Sequence, residues 1–182
     1  MNILVLLKIV FLSLLSQNIL IVGDSEACAM KFGAITAVRQ PGEMVFNICK
    51  NGTRVAYWEG EKMRNALSTG KYDTVIVFLG TNDYGSKPDP TKIVSQIKAT
   101  GASCVWVGPT LVRGKKSVTN DHLRTRVSPC VYLDTQALGV PLVDGIHPTS
   151  SGAVKWLTEV WRLKNLLRKQ SKPKPVTSGV SP

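Results

Sequence analysis

The sequence has 182 residues, of which 43% are hydrophobic, and a formal net charge of +11. This length corresponds to one domain with room for a sizeable core, and the apolar content excludes wholesale disorder. Six Lys or Arg fall in the last 21 residues, which contain no Asp or Glu. Because no basic face interleaved with aromatic residues occurs elsewhere, the charge does not indicate a nucleic-acid partner; attraction to an anionic polymer or a bacterial envelope is the milder inference.

Residues 3–15 form an almost wholly apolar run in which Lys8 is the only charged residue. The run is too short for a comfortable membrane span. It resembles the core of a signal peptide, but Lys8 divides it and Ser13–Ser16 matches a cleavage site poorly. Two interpretations of residues 1–16 therefore stay open: a signal or anchor that gives membrane association, or an extra apolar helix packed on the domain.

The rest of the chain alternates between short apolar runs and segments with few helix breakers. Strands are predicted at Asn18–Val22, Met44–Cys49, Asp73–Leu79, Ser103–Val107 and Cys130–Asp134. The predicted helices are Glu26–Val38, Thr53–Leu67 with Thr53 as its cap, Asp89–Thr100, Asn120–Val127, and a final helix from Thr149 or Ser150 to Arg168. Five such alternations predict a three-layer α/β fold with a parallel sheet between helices. The domain spans residues 17–168, and the basic, proline-containing segment 169–182 is predicted to be disordered.

A serine follows the first predicted strand directly, in the sequence Gly23-Asp24-Ser25. Open α/β folds bind their ligands at the carboxyl edge of the sheet, where this serine lies. At the start of a helix its hydroxyl is also surrounded by free backbone N–H groups and by the positive end of the helix. Ser25 is therefore either a nucleophile or only the N-cap of its helix, a role that serine often fills.

Three further loops after predicted strands carry unusual residues. Gly52 follows the second strand, Asn82 lies in Gly-Thr-Asn-Asp after the third, and Asp144 and His147 form Asp-x-x-His-Pro before the final helix. Together with Gly-Asp-Ser, these blocks resemble the SGNH (GDSL-type) hydrolases over residues 18 to about 168. The resemblance implies a flavodoxin-like α/β/α fold with a five-stranded parallel sheet, and ester hydrolysis.

By the same resemblance, Ser25 is the nucleophile, His147 its general base and Asp144 the residue that orients the imidazole. These roles suit the side chains, because a serine hydroxyl attacks poorly until an imidazole accepts its proton, and a carboxylate on the other ring nitrogen fixes the tautomer. The resemblance places the oxyanion hole at the N–H groups of Ser25 and Gly52 and the side chain of Asn82. Considered individually, each residue also has an ordinary structural interpretation. Gly52 and Asn82 are common turn residues, and Asp144 can cap a turn.

The four cysteines and two histidines fit no metal-binding spacing, so no metal or cofactor is expected. Cys104 and Cys130 lie in predicted strands and are interpreted as buried thiols. Cys28 and Cys49 can form a disulfide if the protein is exported, an alternative that the sequence leaves open. His122, in a predicted helix among charged residues, is interpreted as solvated surface.

The predicted activity is hydrolysis of a small acyl ester, acetyl first, on a carbohydrate or cell-wall polymer through an acyl-enzyme. The short domain has no apolar insertion to form the deep channel of a long-chain lipase. Lys50 and Arg54 favour an acidic or hydroxylated polymer, although both also fit as solvated loop charges. The alternatives are a thioesterase or lysophospholipase, or an inactive carbohydrate-binding or virion structural protein with the same fold. An exported or phage-encoded, cell-wall-directed protein is favoured over a cytoplasmic one.

Overall fold

The computed structural model describes residues 16–171. The predicted signal or anchor in residues 1–16 lies outside this range apart from its last residue, and so does the tail from residue 172 onward. Between residues 16 and 171, no helix combines the length and the apolar character that crossing a bilayer requires.

Five strands form one sheet. They are β1 Gln17–Gly23, β2 Glu43–Cys49, β3 Thr74–Phe78, β4 Ser103–Val107 and β5 Val131–Leu133. Their order across the sheet is β2-β1-β3-β4-β5, and all neighbouring strands are parallel. All carboxyl ends therefore meet at one edge. The order changes direction between β1 and β3, the position at which folds of this kind bind ligands.

Side chains from the sheet alternate between two hydrophobic cores, as the two-residue period of a strand requires. In β1, Leu20 and Val22 belong to one core, whereas Ile19 and Ile21 belong to the other, and all four are fully buried. A continuous apolar strand is what a parallel sheet covered on both faces needs. The predicted three-layer α/β/α architecture with a five-stranded parallel sheet is confirmed.

Seven α-helices lie in the part of the chain that the structure describes. They are α1 Ser25–Ala29, α2 Phe32–Val38, α3 Val55–Trp58, α4 Glu61–Ser68, α5 Thr91–Ala99, α6 Val118–Arg126 and α7 Ser150–Ser171. Helices α1, α2 and α7 cover one face of the sheet, and α3 to α6 cover the other. The candidate nucleophile therefore begins a helix on the same face as the long C-terminal helix.

The prediction of single helices at Glu26–Val38 and Thr53–Leu67 is wrong, because each segment is divided in two. The first is interrupted at Met30, whose ψ of 70° leaves the helix while its side chain stays buried. The second is interrupted at Gly60, which adopts a φ of 67°. Glycine takes this left-handed conformation without steric cost.

Two disulfides join the four cysteines. Cys28–Cys49 links α1 to the end of β2, with Cα atoms 5.3 Å apart, and Cys104–Cys130 links β4 to the residue before β5, with Cα atoms 4.5 Å apart. The sequence left open whether Cys28 and Cys49 form a disulfide. The interpretation of Cys104 and Cys130 as thiols is wrong, because the parallel register of β4 and β5 brings these two positions side by side.

A buried ion pair fastens α7 to the sheet. Lys164 Nζ donates to Glu43 Oε1, and Trp161 Nε1 donates to Glu43 Oε2 at 2.7 Å. Burial lowers the pKa of Lys164, while the hydrogen bond to Glu43 opposes this shift. Lys164 therefore belongs to the domain and not to a solvated basic tail. Helix α7 runs to Ser171, three residues beyond the predicted end of the domain at residue 168.

Candidate active site

The turn after β1 leaves the sheet at a position fixed by glycine. Gly23, the last residue of β1, approaches β3 so closely that a Cβ atom there would overlap the Phe78 carbonyl oxygen. The Asp24 N–H donates to that same oxygen at 3.0 Å. The close approach therefore requires glycine and sets the direction of the Asp24-Ser25 turn.

The residue that caps α1 is Asp24. Its Oδ1 accepts the Glu26 N–H at 2.9 Å and so satisfies one of the free donors of the first helical turn. The alternative in which Ser25 is only an N-cap is therefore wrong. Capping by the preceding residue leaves the Ser25 hydroxyl free for another partner.

That partner is His147. Ser25 Oγ lies 2.9 Å from His147 Nε2, and His147 Nδ1 lies 2.7 Å from Asp144 Oδ2. When Nδ1–H donates to the carboxylate, Nε2 carries the lone pair that can accept the serine proton. The structure thus brings the three candidates from the sequence into one hydrogen-bonded chain.

Asp144 also shapes the loop that carries the histidine. Its Oδ1 accepts the N–H groups of Ile146 at 3.0 Å and of His147 at 2.8 Å, while Gly145 between them adopts a φ of 80°. The hydrogen bonds from His147, first the backbone N–H and then the imidazole, hold the pKa of Asp144 well below its usual range. Asp144 is therefore ionised at neutral pH and can stabilise an imidazolium next to it.

Asn82 ties the loop after β2 to the nucleophile turn. Its Nδ2 donates to Asp24 Oδ2 at 3.2 Å and to Thr53 O at 3.0 Å. Both protons of this amide are used, so donation to a substrate oxyanion requires one of these bonds to be exchanged. Gly52, exposed beside Thr53, has a φ of 72°. The oxyanion roles of Asn82, Gly52 and the Ser25 N–H stay predictions.

Two residues that the sequence analysis did not place in the site keep this loop in position. Thr53 Oγ1 donates to Lys50 O at 2.8 Å and accepts Trp58 Nε1–H at 2.9 Å, so the prediction that Thr53 caps a helix is wrong. Asp83 Oδ2 accepts the Val55 N–H at 3.0 Å. Burial raises the pKa of Asp83, against the hydrogen bond from Val55.

Two carboxyl groups flank the nucleophile, and both are fully buried. Burial raises the pKa of Asp24 to about 7, although hydrogen bonds from the Glu26 N–H and from Asn82 lower it. Burial, followed by the charge of Asp24, raises the pKa of Glu26 well above its usual range. Sequence reasoning gave Glu26 no role. An acidic residue directly after Ser25, in a turn expected to pack on the sheet, was the available signal.

An open cleft of about 690 Å³ borders Ser25 and His147. Its walls come from α1, α2, α7 and the loops after β2 and β5, and Lys31 and Val143 are among the residues that line it. Two large apolar side chains at or beside this cleft face solvent, since Val143 is 74% exposed and Phe32 is 76% exposed. The cleft is therefore accessible to a bulky molecule and carries both apolar and basic groups.

The second histidine does not line this cleft. His122 is half-buried in α6, and its Nε2 lies 3.0 Å from Pro88 O, so its interpretation as solvated surface is wrong. In the part of the chain covered by the structure, no group of three or more His, Cys, Asp or Glu side chains is placed to hold a metal ion.

The strand order β2-β1-β3-β4-β5, with helices on both faces, is that of the SGNH-type hydrolase fold. No protein-family model matches the chain, and no curated protein matches it in sequence. Solved structures do match. A catalytic mutant of Axe2, an acetylxylan esterase from Geobacillus stearothermophilus, has a TM-score of 0.61 at 18% identity, over 86% of this chain and 95% of that one.

Two further structures match with similar scores. A member of the lipolytic protein G-D-S-L family from Veillonella parvula has a TM-score of 0.58 at 14% identity, over 81% of this chain and 98% of that one. LAE5, an alpha/beta hydrolase enzyme from the metagenome of Lake Arreo, Spain, has a TM-score of 0.61 at 14% identity, over 81% and 94%. At sequence identities this low, structural similarity shows the fold alone. The predicted fold is therefore confirmed.

Proposed function

We propose that this protein is a serine ester hydrolase that removes small acyl groups, acetyl first, from a carbohydrate or cell-wall polymer. The observation that carries the proposal is the chain of hydrogen bonds from Ser25 Oγ through the His147 imidazole to the Asp144 carboxylate, at 2.9 and 2.7 Å. The chain lies at the switch point of the sheet and opens onto an accessible cleft. This arrangement supports Ser25 as the nucleophile, His147 as its general base and Asp144 as the group that orients the base.

In the acylation step, Ser25 Oγ attacks the carbonyl carbon of the ester while His147 Nε2 accepts the hydroxyl proton. The imidazolium that forms is stabilised by Asp144, which keeps Nδ1–H in place. Negative charge develops on the carbonyl oxygen next to the N-terminus of α1, where backbone N–H groups are available. His147 then gives its proton to the leaving sugar oxygen, and the acyl group stays on Ser25.

In the deacylation step, water attacks the acyl-serine carbonyl while His147 Nε2 accepts one of its protons. Collapse of the second tetrahedral intermediate breaks the bond to Ser25 Oγ, which takes the proton back from the imidazolium. The products are the free acid and the regenerated serine. The protein's own groups supply every proton transfer in this sequence.

The proposed substrate class draws on the cleft and on one structural relative. One of the structures that match over most of this chain is that of a catalytic mutant of an acetylxylan esterase. The cleft is open along one side, so a bulky carrier can lie across it while a small acyl group reaches Ser25. Lys31 lines the cleft, and Arg113 lies against Gly145 of the histidine loop. These cations favour a carrier with negative charge.

We also propose that the protein is exported, in line with the apolar residues 3–15. The Cys28–Cys49 and Cys104–Cys130 disulfides support this location, because such bonds persist in oxidising compartments and are rare in the cytosol.

The direct test is p-nitrophenyl acetate hydrolysis by purified protein. We expect turnover by the wild type, and a loss of at least ~10³-fold in Ser25→Ala and in His147→Ala, since either change removes an essential part of the chain. His122→Ala is the matched control for the histidine and Ser68→Ala for the serine, because both lie outside the cleft. Near wild-type rates in Ser25→Ala and His147→Ala would contradict the proposal.

An acetate-release screen on O-acetylated polysaccharides and peptidoglycan then tests the carrier. The exposed Phe32 and Val143 beside the cleft favour one second candidate, a lysophospholipase or thioesterase with a longer acyl chain. A series of p-nitrophenyl esters separates the two. A kcat/KM that falls as the acyl chain lengthens supports the acetyl esterase, and one that rises supports the second candidate.

A further inference from the structure

A buried carboxyl group follows the nucleophile directly. Glu26 is 0% exposed and directly follows Ser25 in the chain. Burying a carboxyl group is costly unless its oxygens are hydrogen-bonded. Yet Glu26 Oε2 has no hydrogen-bond partner of normal geometry among residues 16–171, although Thr81 lies near enough to affect its pKa. Burial of the Glu26 carboxyl group beside Ser25 has a high free-energy cost, and side-chain packing alone does not explain it.

The other oxygen of Glu26 touches a hydroxyl that is shared with the histidine loop. Thr110, in the loop after β4, places its Oγ1 3.1 Å from Glu26 Oε1 and 3.2 Å from Ile146 O. Ile146 immediately precedes His147. Thr110 itself is buried, with 3% of its surface exposed. One threonine hydroxyl thus connects the helix that begins with Ser25 to the loop that carries the general base.

The proton count at this threonine decides how the connection works. A hydroxyl has one proton, so it cannot donate fully to both a carboxylate oxygen and a carbonyl oxygen. If Glu26 is ionised, its oxygen competes with Ile146 O for the Thr110 proton. If Glu26 is neutral, its own O–H donates to Thr110 Oγ1, and Thr110 donates to Ile146 O. Only the neutral form allows both contacts to be hydrogen bonds at the same time.

The surroundings of Glu26 favour the neutral form. Asp24 lies on the same turn and repels a second negative charge. Tyr132, from β5, is also affected by the Glu26 charge, and burial raises the pKa of its own hydroxyl. The opposing groups are the hydroxyls of Thr81 and Thr110 and the Thr110 backbone, which are uncharged. Burial is the largest effect on the pKa of Glu26, and it acts in the same direction as the repulsion from Asp24.

We propose that Glu26 and Thr110 are positioning residues. The Glu26 O–H donates to Thr110 Oγ1, and the Thr110 O–H donates to Ile146 O. These two hydrogen bonds hold the His147 loop at the correct distance from Ser25. This inference rests on the proposed function, because it concerns the same serine and histidine. Neither residue is among those that line the cleft. Ionisation of Glu26 takes the Thr110 proton from Ile146 O and loosens the histidine loop.

The test compares Glu26→Gln with Glu26→Leu, and Thr110→Val with Thr110→Ser, in p-nitrophenyl acetate hydrolysis from about pH 6 to about pH 9.5. Glutamine keeps a neutral donor that cannot ionise. We expect the kcat of the wild type to fall at alkaline pH, and we expect Glu26→Gln to retain activity at neutral pH without that fall. Glu26→Leu and Thr110→Val should lower kcat by about 10- to 100-fold with little change in KM, as expected when a reacting group is displaced. Thr110→Ser should restore kcat.

Wild-type turnover that is abolished in Ser25→Ala establishes the proposed function in the same assay. If that holds, a Thr110→Val kcat equal to the wild type would overturn the positioning role. An alkaline limb in Glu26→Gln identical to that of the wild type would overturn the neutral-donor role. Thermal unfolding of each variant identifies loss of fold. If Thr110→Val does not fold, the Glu26→Gln and Glu26→Leu pair still decides, because equal loss of kcat in both contradicts the inference.

Discussion

His147 Nε2 lies 2.9 Å from Ser25 Oγ, although 122 positions separate the two residues in the chain. Ser25 begins a helix after β1, and His147 lies in a loop after β5, at the far side of the sheet order. The contact forms because the loop between residues 139 and 149 returns over the carboxyl edge. Asp144 and Thr110 both hold this loop through hydrogen bonds to its backbone.

We expect Asp144→Asn to lower kcat because the variant loses the charge that stabilises the imidazolium. The loss should be on the order of 10²-fold, less than the ~10⁴-fold typical of a buried triad aspartate, because this side chain is half exposed and solvent already screens its charge. Steady-state kinetics measure the effect. Asp121→Asn, an exposed change in α6, is the matched control, and equal kcat values for the two variants would count against a role for Asp144.

Asn82→Ala tests the oxyanion role that the fold resemblance implies. If its amide exchanges the bond to Asp24 for one to the substrate oxygen, kcat should fall by about 10²- to 10³-fold with KM nearly unchanged. Asn65→Ala, on the exposed side of α4, is the control. The variant could instead have a lower melting temperature but the same kcat per folded molecule as the wild type. That result would show that Asn82 has only a structural role, as a link between Asp24 and Thr53.

The fold was predictable because β1, β3 and β4 each contain a continuous apolar run that needs cover on both faces. The helix breaks at Met30 and Gly60 were not predicted, because they depend on which side chains are buried by tertiary packing. The disulfide between Cys104 and Cys130 was missed because it depends on the register of two strands, which the sequence does not give.

The residues of the candidate site could also be proposed from the sequence. The four sequence blocks carried Ser25, Gly52, Asn82, and Asp144 with His147, because these residues follow strand ends at one edge of a parallel sheet. Their supporting groups were not foreseen. Threonine hydroxyls in buried loops have no sequence signature, since they form bonds only after distant loops meet. The cap of α1 could not be assigned from the sequence, because serine and aspartate cap helices about equally well.

Asp24→Asn tests the burial of the carboxyl group before the nucleophile. The pKa of Asp24 is raised to about 7 in the folded protein, so the folded state binds this proton more tightly than the unfolded state does. Its contribution to stability is therefore present at low pH and is lost as pH rises toward 7. Between pH 5 and pH 8 the wild type should lose about 2–3 kcal/mol through this group.

Asparagine cannot ionise, so the pH dependence of the free energy of unfolding should be flatter in the variant by that amount. Urea denaturation at both pH values measures the difference, and absolute stability at one pH is not the readout. Parallel pH profiles for the wild type and Asp24→Asn would show that Asp24 titrates normally in the folded protein.

The two disulfides should differ in their effect on activity. Each closes a loop of comparable length, with sequence separations of 21 and 26, so the double variants Cys28→Ser/Cys49→Ser and Cys104→Ser/Cys130→Ser should each lose about 3 kcal/mol of unfolding free energy. Only the first bond has a cysteine, Cys28, that lies on α1 and lines the cleft. We expect kcat per folded molecule to fall in the first variant and not in the second. Four titratable thiols in the native wild type would contradict both bonds.

Labelling by a fluorophosphonate, followed by peptide mass spectrometry, tests directly whether Ser25 is a nucleophile with His147 as its base. We expect one covalent adduct, on Ser25, because a phosphonate reports a hydroxyl whose proton is accepted by a neighbouring base. We expect His147→Ala to be labelled at least ~10²-fold more slowly, since the base is then absent. An adduct on another residue, or equal labelling of Ser25 in wild type and His147→Ala, would contradict the claim that these two residues form a nucleophile and its base.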